Sequence, residues 1–355
     1  MKKTIAMLMA FVMIFALCAC GQTAVPSAAP SVTSEAEPET PAEPETPAGP
    51  DISERTIRFS TTSADGTTIA DAMYLFADKV SEMSGGKMKV EVFTNSQLGD
   101  AQQALQNAQL GVQEMTMTQP TYLAASGAVG FTALSLPYIY KSLDHQIKVI
   151  DGEIGTELLR TIQTSGIQLV GIGFWSEGSR NFFTKEPVTC IDDIKGMKLR
   201  CQQTEVDTEM VKALGASPTP IAFGELYSAL QTGVVDGAEN PLDGIYSSKF
   251  YEVCKNVVMD EHSMPPTTIV FSEIIWNQMT ADEQQVVLDA WKEVADTNYD
   301  VVNAGMAEYK ELLEAEGVTI YELSDKDKWS EAMAGVYAKF GADCADVIEA
   351  ISSVE

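Results

Sequence analysis

The chain is 355 residues long and carries 51 acidic against 23 basic side chains, a formal charge of −28. That surplus excludes a nucleic-acid partner and electrostatic docking on anionic lipid, since both need a basic face. It does not exclude an anionic small molecule, because exposed charges are screened within about 10 Å and a site answers to its nearest arginines.

Lys2 and Lys3 precede an apolar run from Thr4 to Leu17, followed by Cys18-Ala19-Cys20-Gly21. A basic start, a short apolar core and a small residue before the cut predict a secretory signal over residues 1–19. The run falls short of the roughly 20 residues that span a bilayer. Leu17-Cys18-Ala19-Cys20 resembles a lipobox, which predicts cleavage before Cys20 and a diacylglycerol on its sulfur. An ordinary cleaved signal with an incidental cysteine is the alternative. Residues 20–54 then read as the lipidated cysteine and a tether rich in Pro, Ala, Thr, Ser and Glu, with Pro38, Pro41, Pro44 and Pro47 three apart. Such a stretch buries too little apolar surface to offset its ordering entropy, so a disordered leash is expected. Of the later cysteines, Cys190, Cys201, Cys254 and Cys344 show no paired metal spacing, and His145 and His262 are the two histidines. No metal and no cofactor are expected; the thiols are read as buried, with a disulfide left open in an exported protein.

Beyond the tether, Thr56 to Thr61 reads as a strand, and Ile69, Met73, Phe76, Ala77 and Val80 recur at helical spacing until Gly85-Gly86. Met88, Val90 and Val92 alternate with Lys89 and Glu91 as a second strand. Ala101 to Leu110 is a helix, Glu114 to Thr118 a strand, and Gln168 to Phe174 an apolar run of strand length. A second unit starts near Gly178. It holds a strand from Met197 to Cys201, helices at Glu205–Leu214 and Ala222–Thr232, and a short strand at Val234–Gly237. Thr280 with Glu283 forms a capping box heading a long helix with Val286, Val287, Ala290, Trp291 and Val294 on its apolar face. Alternating strands and helices predict an α/β fold, and about 300 residues exceed one comfortable core, so two domains are expected. The helix headed by Thr280 is expected to brace both.

Lys195-Gly196-Met197-Lys198-Leu199-Arg200 places a guanidinium at a strand end, with Arg180 upstream and Asn240 downstream. A guanidinium fork matches the two oxygens of a carboxylate, so two arginines and an amide can fix an organic acid. Pairing of each arginine with a structural Asp or Glu is the alternative.

Several pieces then occur in order: Asn95-Ser96-Gln97-Leu98-Gly99-Asp100, Leu136-Pro137-Tyr138, Gly178-Ser179-Arg180, the Lys195–Arg200 segment, and Leu214-Gly215-Ala216-Ser217-Pro218-Thr219-Pro220. Tyr227 to Gly237, Glu239-Asn240-Pro241 and Tyr246 to Val253 complete the set. Together they resemble the substrate-binding subunit of tripartite ATP-independent periplasmic (TRAP) transporters, the DctP type, over roughly Thr56 to Tyr321. The resemblance implies a two-domain periplasmic-binding-protein-like fold with discontinuous domains, a ligand cleft between them and a long helix bridging both. The expected limits are 55–177 plus about 266–305 for one domain and 178–265 plus about 306–355 for the other.

By the same resemblance Arg200 makes the main salt bridge to the ligand carboxylate, in a cleft open enough that its loss leaves the empty protein stable. Arg180 is a second arginine there, Asn240 an amide at the same group, and Phe223 an aromatic against the ligand body. Thr62 follows the first strand where relatives offer a polar side chain. Gln119 stands where some relatives carry Glu. Trp175 ends a strand beside the cleft, as a stacking ring or a packing one. Glu239 is a weak cation candidate without clear partners, so no metal is assigned. Cys201-Gln202-Gln203 replace the Val-Pro pair that commonly follows the family's arginine, which leaves the ligand's identity open.

The implied function is an exported, lipid-anchored solute receptor, monomeric, that binds an organic acid and hands it to a membrane permease of the TRAP type without chemistry on the ligand. A sensory receptor is the alternative within the same fold. An exported enzyme acting on organic acids is disfavoured, for the sequence shows no Ser-His-Asp arrangement, no His-rich metal set and no nucleotide loop.

Overall fold

The computed structural model describes residues 49–355; the signal, Cys20 and most of the tether lie outside the described residues. Eleven strands occur among the described residues: β1 Arg55–Ser60, β2 Met88–Phe93, β3 Met115–Thr118, β4 Leu169–Trp175, β5 Arg180–Thr184, β6 Lys198–Cys201, β7 Ser217–Pro220, β8 Gly237–Asn240, β9 Asn256–Ser263, β10 Thr267–Ser272 and β11 Thr319–Tyr321. They build two sheets, ordered β2-β1-β3-β10-β4 and β11-β9-β5-β8-β6-β7.

In the first sheet β1 runs parallel to β2 and β3, and β10 lies antiparallel between β3 and β4. The carboxyl ends of β1, β3 and β4 and the start of β10 therefore share one edge. In the second, β5 is antiparallel to β8 and β9, while β6 is parallel to β7 and β8. The carboxyl ends of β6, β7 and β8 and the start of β5 share an edge likewise. Residues 176–179 and 264–266 are the two short crossings between sheets, and the chain crosses a third time through the helices between β10 and β11. Buried Gln146 ties the two short crossings together, accepting from the Ser176 hydroxyl and donating to the Met264 carbonyl. The architecture is a two-domain mixed α/β fold, as the sequence implies.

The first sheet's core is aromatic: Phe59, Phe76 and Trp291 meet edge to face with centroids 5.7–6.4 Å apart. Helix Thr68–Met83 stops where Gly85 and Gly86 take positive φ, as the sequence predicts. The capping box is present too: Thr280 accepts from the Glu283 amide at 3.2 Å, and Glu283 accepts from the Thr280 amide at 3.1 Å.

Five expectations need correction. The tether does not extend to Glu54: Ile52 is buried in the first core, the Asp51 amide donates to Asp282 at 2.7 Å and the Ser53 amide to Glu283 at 2.9 Å, so one apolar anchor ends the leash earlier. The helix headed by Thr280 is Ala281–Ala295 and packs on Thr68–Met83 and β4 of the first sheet. The bracing helix is the next one, Asn298–Ala315, which touches Thr68–Met83 and Leu242–Ser247. Ala222–Thr232 is a 3-10 turn, Phe223–Glu225, followed by a helix, Leu226–Thr232. The strand expected at Val234–Gly237 is Gly237–Asn240, because Val235 turns into the core and the edge residues pair with β5 and β6. Finally, residues 306–355 do not all pack with the second sheet. Ala345–Ser352 lies on Val129–Ser135 and Glu153–Thr164, with the His145 Nε2 3.1 Å from the Ile351 carbonyl. Cys201, Cys254 and Cys344 are free and buried, and Cys190 is free and half-buried.

Candidate functional site: a cleft with two arginines

Parallel strand ends leave their loops at one edge, and a crevice there is the usual ligand site of α/β sheets. Both sheets turn such an edge to one cleft. The first sheet contributes Thr62 after β1, Gln119 after β3, Glu177 after β4 and Thr267 at the start of β10; the second contributes Arg180, Arg200, Asn240 and Phe223. Six of the seven residues expected from the sequence thus line one space.

Trp175 is the exception. Its ring is 1% exposed and packs edge to face on Trp291, 6.4 Å away, in the first sheet's core. Trp175 is the last residue of β4 and packs into the first core, whereas Glu177 lies past the strand's end, where strand alternation no longer applies, and reaches the cleft instead.

Arg200 ends β6 with its side chain 3% exposed. The Phe223 ring lies over its guanidinium at 5.6 Å and its Nε donates to the Ile221 carbonyl at 2.9 Å, so segment 221–223 covers it. This corrects the expectation of an arginine in an open, wet cleft. Its Nη1 is buried and has no hydrogen-bond partner among the described residues. Burial pulls its pKa down, against the pull of Glu239 upward.

Arg180 opens β5, and its Nε stands 2.5 Å from Glu239 Oε2. Glu239 is the counter-ion that sequence reading left without partners. Its Oε1 is 3.9 Å from Arg200 Nη1, and its Oε2 is 3.7 Å from His262 Nε2. Burial alone would raise the Glu239 carboxyl; Arg180 and His262 outweigh burial and hold it down to about 2. Burial likewise disfavours a charged His262, but Asp260, 2.6 Å from its Nδ1, and Glu239 lift it to about 9. Three buried cations, Arg180, Arg200 and His262, thus surround Glu239, with Arg180 as its close partner and Asp260 behind His262.

Asn240 follows Glu239 and is buried at the cleft. Its Oδ1 sits where a Cβ on residue 244 would come within 2.0 Å, so Gly244 is needed for this rotamer. Next to it, Asp243 accepts from the Thr68 amide at 3.1 Å and the Thr68 hydroxyl at 3.0 Å, linking Leu242–Ser247 to the head of helix Thr68–Met83. The Tyr309 hydroxyl donates to the Gly66 carbonyl at 2.7 Å and the Ser247 hydroxyl at 3.0 Å in the same corner.

Sequence reasoning missed Glu177, Thr267, Asp243, His262 and the pairing of Glu239. Glu177 had a signal, since it follows a strand end and precedes Arg180 by three residues. His262 and Asp260 had none, being separated from Glu239 by twenty residues of chain. Among the described residues, no cluster of three His, Cys, Asp or Glu is arranged to hold a metal, and no helix is long and apolar enough to cross a membrane.

Residues 59–343 match the family model of the bacterial extracellular solute-binding proteins, family 7. The sialic acid-binding periplasmic protein SiaP of Vibrio cholerae is 30% identical over 298 residues, covering 82% of this chain and 90% of that protein. A TRAP periplasmic solute-binding protein of Pseudomonas putida F1, solved with bound D-glucuronate, superposes with a TM-score of 0.81 at 31% identity, covering 84% of this chain and 97% of that one. Another, from Sulfurospirillum deleyianum with bound succinate, gives a TM-score of 0.79 at 30% identity, covering 86% and 100%. With the match running through most of the described chain and through both sheets that form the cleft, the chain belongs to the bacterial extracellular solute-binding proteins of family 7.

Proposed function

We propose that this chain is the extracytoplasmic receptor of a TRAP transporter, held to the outer face of the membrane by a lipid on Cys20. It binds a small organic acid in the cleft as a salt bridge to Arg200, with Arg180, Asn240, Phe223, Gln119 and Thr62 around it. The two bodies close on the ligand and present it to a membrane permease. Nothing is done to the ligand's bonds.

The observation that carries this reading is the unpartnered Nη1 of Arg200. A buried guanidinium donor without an acceptor costs free energy, and the nearest carboxylate, Glu239, has its Oε2 on Arg180 at 2.5 Å and its own unpartnered Oε1 3.9 Å from that Nη1, beyond hydrogen-bond reach. A ligand carboxylate supplies the missing acceptor. The D-glucuronate and succinate in the two solved relatives are both organic acids, which supports the same class here.

Calorimetric titration with a panel of organic acids, D-glucuronate and succinate among them, tests it. For whichever acid binds, Arg200→Ala is expected to weaken affinity at least about tenfold, since a charged hydrogen bond is worth roughly 1.5–3 kcal/mol and about 1.4 kcal/mol is one decade. Arg200→Lys recovers part, keeping the charge but not the fork. A melt of the ligand-free variant is expected to fall by about 1 kcal/mol for the lost bond to Ile221. Unaltered affinity in Arg200→Ala sinks the assignment.

A further inference from the structure

The first sheet's side of the cleft is built of hydrogen-bond acceptors. The Glu177 Oε1 accepts from the Thr267 hydroxyl and, at 3.3 Å, from the Gln119 amide nitrogen; its Oε2 accepts nothing among the described residues. Gln119 also donates to Thr267 at 2.9 Å, so both its amide hydrogens have acceptors while its Oε1 is buried with no donor. Asp100 lines the same cleft with one oxygen on the Gln103 amide at 2.9 Å and the other unbonded among the described residues. The two ends of the cleft are therefore chemically opposite. Arg200 lacks an acceptor, and Gln119 lacks a donor.

Charge points the same way. The cleft and its immediate surroundings hold three cations, Arg180, Arg200 and His262, and four carboxylates, Glu177, Asp100, Glu239 and Asp260, with His262 held by Asp260 at 2.6 Å. Glu239 pairs with Arg180, which leaves Arg200 as the cation for one ligand carboxylate. A second ligand carboxylate would lie against Glu177 and Asp100 with no cation to meet it. Like charges so placed disfavour binding, and a site that rejects by repulsion is selective without further contacts. A hydroxyl, in contrast, donates to Gln119 or Glu177. An analogue without one leaves a buried acceptor unpaired, which discriminates far more strongly than a missing methylene does.

We infer that the site takes a polyhydroxylated acid with a single carboxylate, of the aldonate or uronate class, and that Glu177 and Gln119 read its hydroxyls and turn away dicarboxylates. This rests on the receptor reading above.

Titration of the intact protein with D-gluconate, D-glucuronate, succinate and hexanoate decides it. The better of the two hydroxylated acids is expected to bind at least about tenfold more tightly than succinate and than hexanoate. Glu177→Gln is expected to narrow the gap to succinate by about tenfold, and Gln119→Leu to weaken the hydroxylated acid by about tenfold while leaving hexanoate unchanged. Succinate or hexanoate binding the parent protein as tightly as the hydroxylated acids overturns this inference, and that result needs no variant to fold. If Arg200→Ala still abolishes succinate binding, the receptor reading survives that outcome. An unchanged selectivity in both variants removes Glu177 and Gln119 as its readers. No binding of any acid defeats the receptor reading and this one with it.

Discussion

Arg180 and Glu239 lie on neighbouring antiparallel strands with Nε 2.5 Å from Oε2 and their side chains 8% and 2% exposed. This pair decides which arginine is available to a ligand. Arg180, held by Glu239, has its pKa raised in spite of burial; Arg200, 3.9 Å from the same carboxylate, has its pKa lowered by burial. Glu239→Gln removes one half of a buried pair, and breaking such a pair costs roughly 3–5 kcal/mol because a charge is left uncompensated. Urea denaturation of the empty protein is the measurement. A variant as stable as its parent shows that the pair is not what holds Arg180.

The His262 neighbourhood sets the response to alkali. Its folded pKa is lifted to about 9 from 6.5, so the stabilisation is complete below about 6.5 and is lost as pH rises through about 9. Glu239 works in the other direction. Held down to about 2 from 4.5, it contributes above about 4.5 and fails as pH falls through about 2. Stability should therefore be flat in between and decline on the alkaline side by on the order of 3 kcal/mol. In His262→Gln the alkaline decline is expected to flatten. Parallel curves for parent and variant between about pH 6 and about pH 10 count against the assignment.

The head of helix Ala281–Ala295 can be separated into cap and ion pair. Thr280→Ala loses one capping bond, at a cost of about 1 kcal/mol. Glu283→Ala loses more, because the same buried carboxylate also holds Arg55 at 3.0 Å and the Ser53 amide at 2.9 Å. About 2–3 kcal/mol is expected. Equal losses in the two variants would mean that Arg55 and Ser53 contribute nothing through Glu283.

Asp243 joins the two bodies away from the ligand carboxylate. Asp243→Ala removes charged bonds to the Thr68 amide and hydroxyl, each worth roughly 1.5–3 kcal/mol when made, and is expected to weaken ligand binding about tenfold, mainly through faster release. Small-angle scattering of the parent should show a smaller radius of gyration when the cleft is filled. A radius that does not change at saturation removes the hinge, and unaltered release in the variant removes the latch.

The proposed membrane attachment rests on Cys20. Cys20→Ser is expected to move the protein from the membrane fraction to the soluble one. A variant retained as firmly as the parent rules out the lipid anchor.

The first sheet was legible because its strands carry plain signals. The alternation of Met88, Val90 and Val92 and the apolar run before Trp175 need no tertiary knowledge. β9 was hidden: Asp260, Glu261 and His262 interrupt it, and their burial is affordable only beside Arg180 and Glu239, which sequence order does not reveal. β8 was misplaced for the opposite reason, since Val234-Val235 looks more strand-like than Ala238-Glu239-Asn240. At the cleft, residue type and spacing left the arginines open between a ligand and a structural ion pair, and the family resemblance is what pointed to them and to the amide. The carboxylates were not readable, because whether a Glu faces a ligand or a counter-ion is set by strand pairing between distant segments. Trp175 shows the limit at single-residue scale: the strand's last residue packs in the core, and the cleft is reached only by Glu177 beyond the strand's end.

The folded body is gripped from behind. Residues 51–53 are fastened at the amino end of β1, beside Thr280 and Glu283, while the cleft lies at the opposite end of the same strand. Tension applied through the preceding chain meets Ile52 and the Glu283 cluster first, and then β1, which pairs with β2 along its whole length and with β3 at Phe59 and Ser60 and so is loaded in shear. Such a strand resists together rather than bond by bond. In the receptor proposed above, a pull from the preceding chain is thus taken up at the end of β1 away from the cleft.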